Sequence, residues 1–350
     1  MIARRLVAAA LAIALPMQAA TAQEAVERRG PAPALIENLR KLIKHEERVT
    51  TIGERLAVAA AAAGWCTPVP SAGWTLGDLG MYPKALRPTV RRHFGLPSDV
   101  SLFVSSIAPD GAAAQAGVRP GMGVSRIGDA MPVRFRGTDP SRGALASNER
   151  LVARSLSEGP LSLEVVATDG TRNRLSLSGR AACPSRFEVS AQDEENAFAD
   201  GDVVVVTAGM AHITRDSDEE LAGVIAHELA HNMLRHIPRS EEAGTPDDYT
   251  RYLNRYSRIS REMEQEADRL SVWLLAAAGF DPEAPIRFWQ RFGPGNDGSP
   301  RFGRLHDRWP VRVAAIEDEL AIMRDAKRAD PAARPALLDR ATVVPVPGTP

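Results

Sequence analysis

His227, Glu228 and His231 stand in the five-residue stretch HELAH, and chemistry follows from that spacing. On a helix, positions four apart lie one above the other on a single face. Both imidazoles can then reach one metal ion, and the intervening glutamate sits beside it as a base. The flanks predict the helix. Asp216 and Ser217 offer N-caps, Asp218, Glu219 and Glu220 suit the first turn, and Leu221, Val224, Ile225 and Leu229 form an apolar stripe.

Two histidines leave a zinc ion short of the three protein ligands plus water that a catalytic site requires. A third histidine in the pattern HExxHxxGxxH is excluded, because NMLRH follows His231. His236 lies five residues beyond His231, about 140° around a continuous helix, and reads as a packing or surface residue. The other solution is a glutamate from a second helix. Residues 261–280 form one by pattern, with Leu270, Trp273, Leu274 and Ala277 as its buried face. Glu264 and Asp268 share a side of it. Glu264 can bind the metal, while Asp268 accepts the free N–H of a ligating histidine and fixes its tautomer. Glu262 and Glu266 read as solvated charges on the same helix.

HELAH followed about thirty residues later by EQEAD resembles the gluzincin family of zinc metallopeptidases that contains the CAAX prenyl protease and the heat-shock protease HtpX. Its soluble members include periplasmic and mitochondrial quality-control enzymes. Two more stretches carry the likeness: NAFADGDVVVVTAGMAHI (196–213) before the metal helix, and RLHDRWPVRVAAIE (304–317) after Glu264. In the second, His306, Pro310 and Arg312 match the family pattern, and Asp307 departs from its usual proline. The resemblance spans roughly residues 184–325. It implies one Zn2+ per chain, held by His227, His231 and Glu264, with Glu228 as base. It implies His306 as the donor to the oxyanion and Arg312 as partner to a carboxylate near the site. It further implies that Val203, Val204, Val205 and Val206 form an edge strand beside the cleft. There an unfolded segment could add through main-chain bonds. A core strand with no substrate contact is the alternative.

The N-terminus bears on compartment. Arg4 and Arg5 precede an apolar run from Leu6 to Leu15, and Ala20-Thr21-Ala22 makes an A-x-A cleavage site, the pattern of a secretory signal peptide over residues 1–22. Two arginines and no acid lie before that site, so cleavage moves the net charge from -1 to about -3. No cysteine follows the site to carry a lipid anchor, and no other apolar stretch nears the ~18 residues of a membrane span. A periplasmic or secreted protein is expected. Near-neutral charge argues against a nucleic-acid partner.

Residues 23–65 contain a long helix pattern (35–63) that closes at Gly64 and is expected to pack on the peptidase part. Residues 66–183 resemble a PDZ domain, on the strength of SLFVSSIAPDGAAAQAGVRPGMGVSRIGD (101–129) and a closing hairpin around Asp169-Gly170. That likeness implies capture of a C-terminal peptide, with the loops at Leu79-Gly80-Met81 or Phe94-Gly95-Leu96 receiving the carboxylate. Only two cysteines occur, Cys66 and Cys183. In an oxidising compartment they read as one disulfide, with two buried thiols as the alternative. The segment 239–248 between the metal helices reads as a mobile lid or guide, and 330–350 as a proline-rich tail.

The expected fold class is therefore α+β. A mainly helical peptidase domain (184–329) with a small edge-stranded sheet stands beside a β-rich PDZ-like domain. The expected function is zinc-dependent endoproteolysis of unfolded or misassembled envelope proteins. The alternative is a PDZ-type chaperone or adaptor with a latent metal site. A purely structural zinc is disfavoured, because such sites are closed by four ligands.

Overall fold

The computed structural model describes residues 33–244, 254–296 and 307–341. They fall into two compact units. One comprises residues 33–43, 76–106 and 113–178; the other comprises 44–75, 107–112 and 179 onward. The chain opens with α1 (Pro33–Ala62). Its Val49, Ile52, Leu56 and Ala60 recur at helical spacing, and each is at most 4% exposed. Gly64, at φ 72°, ends it, with Trp65 N–H donating to the Ala60 carbonyl and Gly64 N–H to that of Ala61. A left-handed residue placed there satisfies carbonyls the helix leaves open.

The first unit is built on an antiparallel meander. After the short β1 (Val69–Ser71) come β2 (Trp74–Asp78), α2 (Arg87–Phe94), β3 (Leu102–Ile107), α3 (Ala112–Gln115), β4 (Gly123–Ile127), α4 (Gly143–Glu158), β5 (Leu161–Val166) and β6 (Arg172–Leu177). Strands β2 to β6 lie side by side in sequence order. The β5–β6 hairpin turns at Asp169-Gly170, where Gly170 takes φ 86°. Leu79, Val90, Phe94, Leu96 and Phe103 gather in one apolar cluster under this sheet.

The second unit is mainly helical. Strand β7 (Arg180–Ala182) pairs with β1, and β8 (Arg186–Ser190), β9 (Ala197–Ala199) and β10 (Val203–Thr207) form a three-stranded sheet. Helices α5 (Ala208–Ile213), α6 (Asp218–Met233), α7 (His236–Glu242), α8 (Asn254–Ala277), α9 (Ala284–Asn296), α10 (Trp309–Ala329) and α11 (Leu337–Ala341) follow. Leu221, Ile225 and Leu229 of α6 meet Leu270 and Leu274 of α8, Leu56 of α1, Val204 and Val206 of β10, and Ile316 of α10 in one fully buried core. Cys66 and Cys183 are joined by a disulfide, and Cys183 N–H also donates to the Ala57 carbonyl. It ties the chain after α1 to the entrance of the three-stranded sheet.

The valine strand corrects one expectation. Val203–Val206 is the middle strand, not an edge: β8 pairs with it in parallel and β9 antiparallel, with Val205 opposite Phe198. Three of the four valines are buried, as a strand covered on both faces requires. The outer edge of the sheet on that side belongs to β9, which lies against α6.

Candidate metal centre

Helix α6 starts where Ser217 Oγ accepts a hydrogen bond from Glu220 N–H, so of the two expected caps Ser217 is the one used. Three acidic residues occupy its first turn, where negative charge suits the helix dipole. The apolar stripe anchors the helix in the core and turns His227, Glu228 and His231 to its other side. Helix α8 packs against α6, with Ala267, Leu270 and Leu274 fully buried. That contact brings Glu264 and Asp268 to the histidines. Helix α10, with a proline in its first turn, supplies Arg312.

The three expected ligands converge. His227 Nε2 lies 3.2 Å from Glu264 Oε2 and 3.1 Å from His231 Nε2, and His231 Nε2 lies 3.5 Å from Glu264 Oε1. Donors about 2.0–2.1 Å from a tetrahedral zinc sit about 3.3 Å from one another. The spacing, and the set of two imidazole nitrogens and one carboxylate, fit that ion. No other group of three such side chains is clustered for a metal among the described residues.

Each imidazole is also held from behind. His227 Nδ1–H points to Asp268 Oδ1 at 3.0 Å, and Arg312 clasps Asp268 with two hydrogen bonds of 2.6 and 2.7 Å. The guanidinium stacks 4.0 Å over the Trp289 ring. Burial alone would raise the Asp268 carboxyl, but the Arg312 charge and the His227 hydrogen bond bring it below its ordinary value. His231 is backed differently: its Nδ1 meets His236 Nδ1 at 2.8 Å, and His236 Nε2 meets Glu266 Oε2 at 3.1 Å.

Charge is tuned throughout. Burial would lower His227, yet hydrogen bonds and charges from Asp268 and Glu264 push it up to about 10. Burial, with the His227 charge, takes His231 down to about 3 against the pull of Glu264. A proton on His227 and a cation between the ligands therefore compete for one place. Burial, with the charges of Glu264 and Asp268, raises Glu228 to about 7 against the pull of His227 and Arg312. Glu228 is thus a carboxylate poised near neutrality beside the three ligands, the protonation range a general base needs.

The structure brings together His227, Glu228, His231, Glu264, Asp268 and Arg312. His306 lies outside the described residues, as do residues 1–32 with the signal pattern and residues 245–248; the start of the 239–248 segment, expected as a mobile lid, is instead the end of helix α7 (His236–Glu242). Two residues escaped the sequence reading. His236 is 3% exposed and turned towards His231, and Glu266 faces inward to it. The 140° estimate assumed an unbroken helix, but α6 stops at Met233 and Arg235 adopts a left-handed φ of 56° before α7 begins. No glycine marks that turn, but Pro238, in the first turn of α7, is the signal that could have found it.

A partly buried pair of HExxH histidines, a glutamate from a second helix and a further glutamate between the histidines define a metallopeptidase-type centre. Residues 173–245 match the profile of peptidase family M48. The beta-barrel assembly-enhancing protease of Yersinia pestis is 29% identical over 162 residues, covering 38% of this chain and 33% of that protein. The Escherichia coli (strain K12) protein of the same name is 28% identical over 166 residues, covering 39% and 34%. Mitochondrial metalloendopeptidase OMA1 of Arabidopsis thaliana is 28% identical over 150 residues, covering 36% and 30%. The matched part spans about a third of the length of these relatives. Over the matched stretch the chain is similar to the M48 metalloendopeptidases, and the His-His-Glu cluster is the kind of metal site such an enzyme needs. The profile ends before Glu264, so the geometry supplies the third ligand independently.

Proposed function

We propose that this protein is a zinc-dependent endopeptidase that cleaves unfolded or misassembled polypeptides of the cell envelope. The observation that carries the reading is the convergence of three donor atoms within 3.5 Å, with the Glu228 carboxyl close enough to feel the charges of His227 and Glu264. Zinc, when bound, supplies positive charge that polarises a peptide carbonyl and acidifies a water. The chain's own residues do the rest. Glu228 takes a proton at its carboxylate and passes it to the leaving amine. Asp268 and Arg312 hold His227 with its Nε2 lone pair directed at the metal position. His306 is the proposed donor to the developing oxyanion.

Substrate is proposed to add as an extended strand to the outer edge of β9, where the exposed Phe198 stands, instead of to the valine strand. Main-chain pairing of that kind selects loosely held segments over particular side chains. The five-stranded unit is proposed to be PDZ-like and to receive C-terminal peptides; its meander, hairpin and flanking helices suit such a role. The envelope setting rests on the signal pattern at residues 1–22 and on the names of the bacterial relatives. No helix among the described residues is long and apolar enough to cross a membrane. Casein cleavage should be lost on chelation and return on adding one equivalent of zinc. Undiminished cleavage in chelator would exclude the metal mechanism.

A further inference from the structure

Behind His231 runs a line of polar side chains that the catalytic reading leaves unused. His231 Nδ1 faces His236 Nδ1 at 2.8 Å, His236 Nε2 faces Glu266 Oε2 at 3.1 Å, and Arg239 Nη1 donates to the same Glu266 oxygen at 2.7 Å. His236 and Glu266 are on different helices, α7 and α8, and both are largely covered. The chain is bent to make the contact, because Arg235 takes a left-handed conformation that L side chains rarely adopt. Backbone of this kind persists where the surroundings demand it.

The protons in this line can be placed from one end. Glu266, paired with Arg239, is a carboxylate and can only accept, so His236 Nε2 must carry the hydrogen. A neutral His236 then has an open lone pair at Nδ1. Two unprotonated nitrogens 2.8 Å apart repel, so His231 Nδ1 must donate. His231 Nε2 is left with its lone pair, aimed at Glu264 and His227. The opposite arrangement sets an unprotonated His236 Nε2 against a carboxylate and puts a hydrogen where the metal belongs.

We propose that His236, backed by Glu266 and Arg239, is a positioning residue that locks His231 into its metal-binding tautomer. It does for the second histidine what Asp268 and Arg312 do for the first. One ligand is thus braced by an ion pair and the other by a neutral imidazole bridging to one. The inference rests on the metallopeptidase reading for the identity of the ion, but its test reads no peptide cleavage.

Zinc affinity is measured by competition with a chromophoric chelator in wild type, His236→Leu and His236→Asn. Near-UV circular dichroism checks the zinc-free fold of each. Losing such an outer partner weakens metal binding about 10–100-fold, and that is expected for His236→Leu. The Asn amide oxygen can stand in for Nδ1 as acceptor, so His236→Asn should keep most of the affinity. Wild-type zinc affinity in His236→Leu, or no rescue by Asn, overturns the proposal. Should either variant misfold, 15N spectra of histidine-labelled, zinc-loaded wild type decide it. A neutral His236 ring protonated at Nε2 is expected; a proton at Nδ1 refutes the relay. Tight zinc and the expected tautomer in a protein that leaves casein intact would sink the peptidase reading and leave this one standing.

Discussion

Arg312→Met leaves the Asp268 carboxylate beneath the metal position with His227 as its remaining charge partner, at 3.0 Å. Each side chain of the Arg312–Asp268 pair is 5% exposed, and two hydrogen bonds of 2.6 and 2.7 Å join them. At 2.7 Å and an effective dielectric of about 20, the attraction is about 6 kcal/mol before desolvation is counted. Taking two charges out of water offsets much of that, yet removing one partner alone costs about 3–5 kcal/mol, because the other stays buried. Asp268→Asn still offers His227 an acceptor but leaves the guanidinium only the more distant Glu264 carboxylate, at 4.0 Å. The double variant Asp268→Asn/Arg312→Met removes both charges together. Its cost should fall below the sum of the singles by about 2–3 kcal/mol, the coupling expected of groups in direct contact. Urea unfolding of zinc-free protein, followed by tryptophan fluorescence, reads these values from the second unit, which holds all five tryptophans. Single costs that add to within about 0.5 kcal/mol would mean the pair does not act as a unit, and the account of how His227 is held would fail.

Three other predictions follow from separate parts of the chain. The Cys66–Cys183 bond closes a loop of 117 residues, so on the chain-entropy model its reduction should lower stability by about 4.9 kcal/mol at 25 °C; an unchanged urea midpoint in reductant would contradict this. Burial raises the Glu54 carboxyl above its ordinary value, even though Ser71 Oγ donates to it at 2.7 Å. A group so raised favours the fold below its unfolded value and loses that contribution as pH rises through the folded one. Glu54→Gln should therefore gain stability over wild type as pH rises from about 4 to 8 in paired thermal melts, and a gap that shrinks would refute the assignment. Glu228 must be unprotonated to act as base, and with its carboxyl raised to about 7, kcat/KM should decline as pH falls below that range. Bound zinc moves the midpoint lower without reversing the trend. A profile flat down to about pH 4 would rule out Glu228 as the titrating base.

The cluster of candidate metal ligands was legible because helix periodicity is a strong constraint. Residues four apart share a face whatever the surrounding fold, so HELAH and the Glu264–Asp268 pair could be placed before any contact was known. What joined them was equally visible, since both helices carry apolar stripes that must bury against something, and they bury against each other. Strand order was not legible. Four consecutive valines specify a covered strand but not its neighbours, and β10 lies between β8 and β9. His236 was misplaced for a sharper reason, because one left-handed residue, Arg235, redirects the chain, and the proline that announces the new helix, Pro238 in the first turn of α7, was not weighed. Glu266 then turned inward with it, from a helix face whose charges read as solvated.

The central claim is best tested on Glu228→Gln. The substitution keeps size and shape, touches none of the three ligands and removes only the ability to take a proton. Zinc content and casein cleavage are measured together on wild type and variant. One zinc per chain in both, with cleavage in wild type and essentially none in the variant, is the expected outcome. A variant that holds zinc and cleaves at the wild-type rate, or a zinc-loaded wild type that cleaves nothing, would contradict the account.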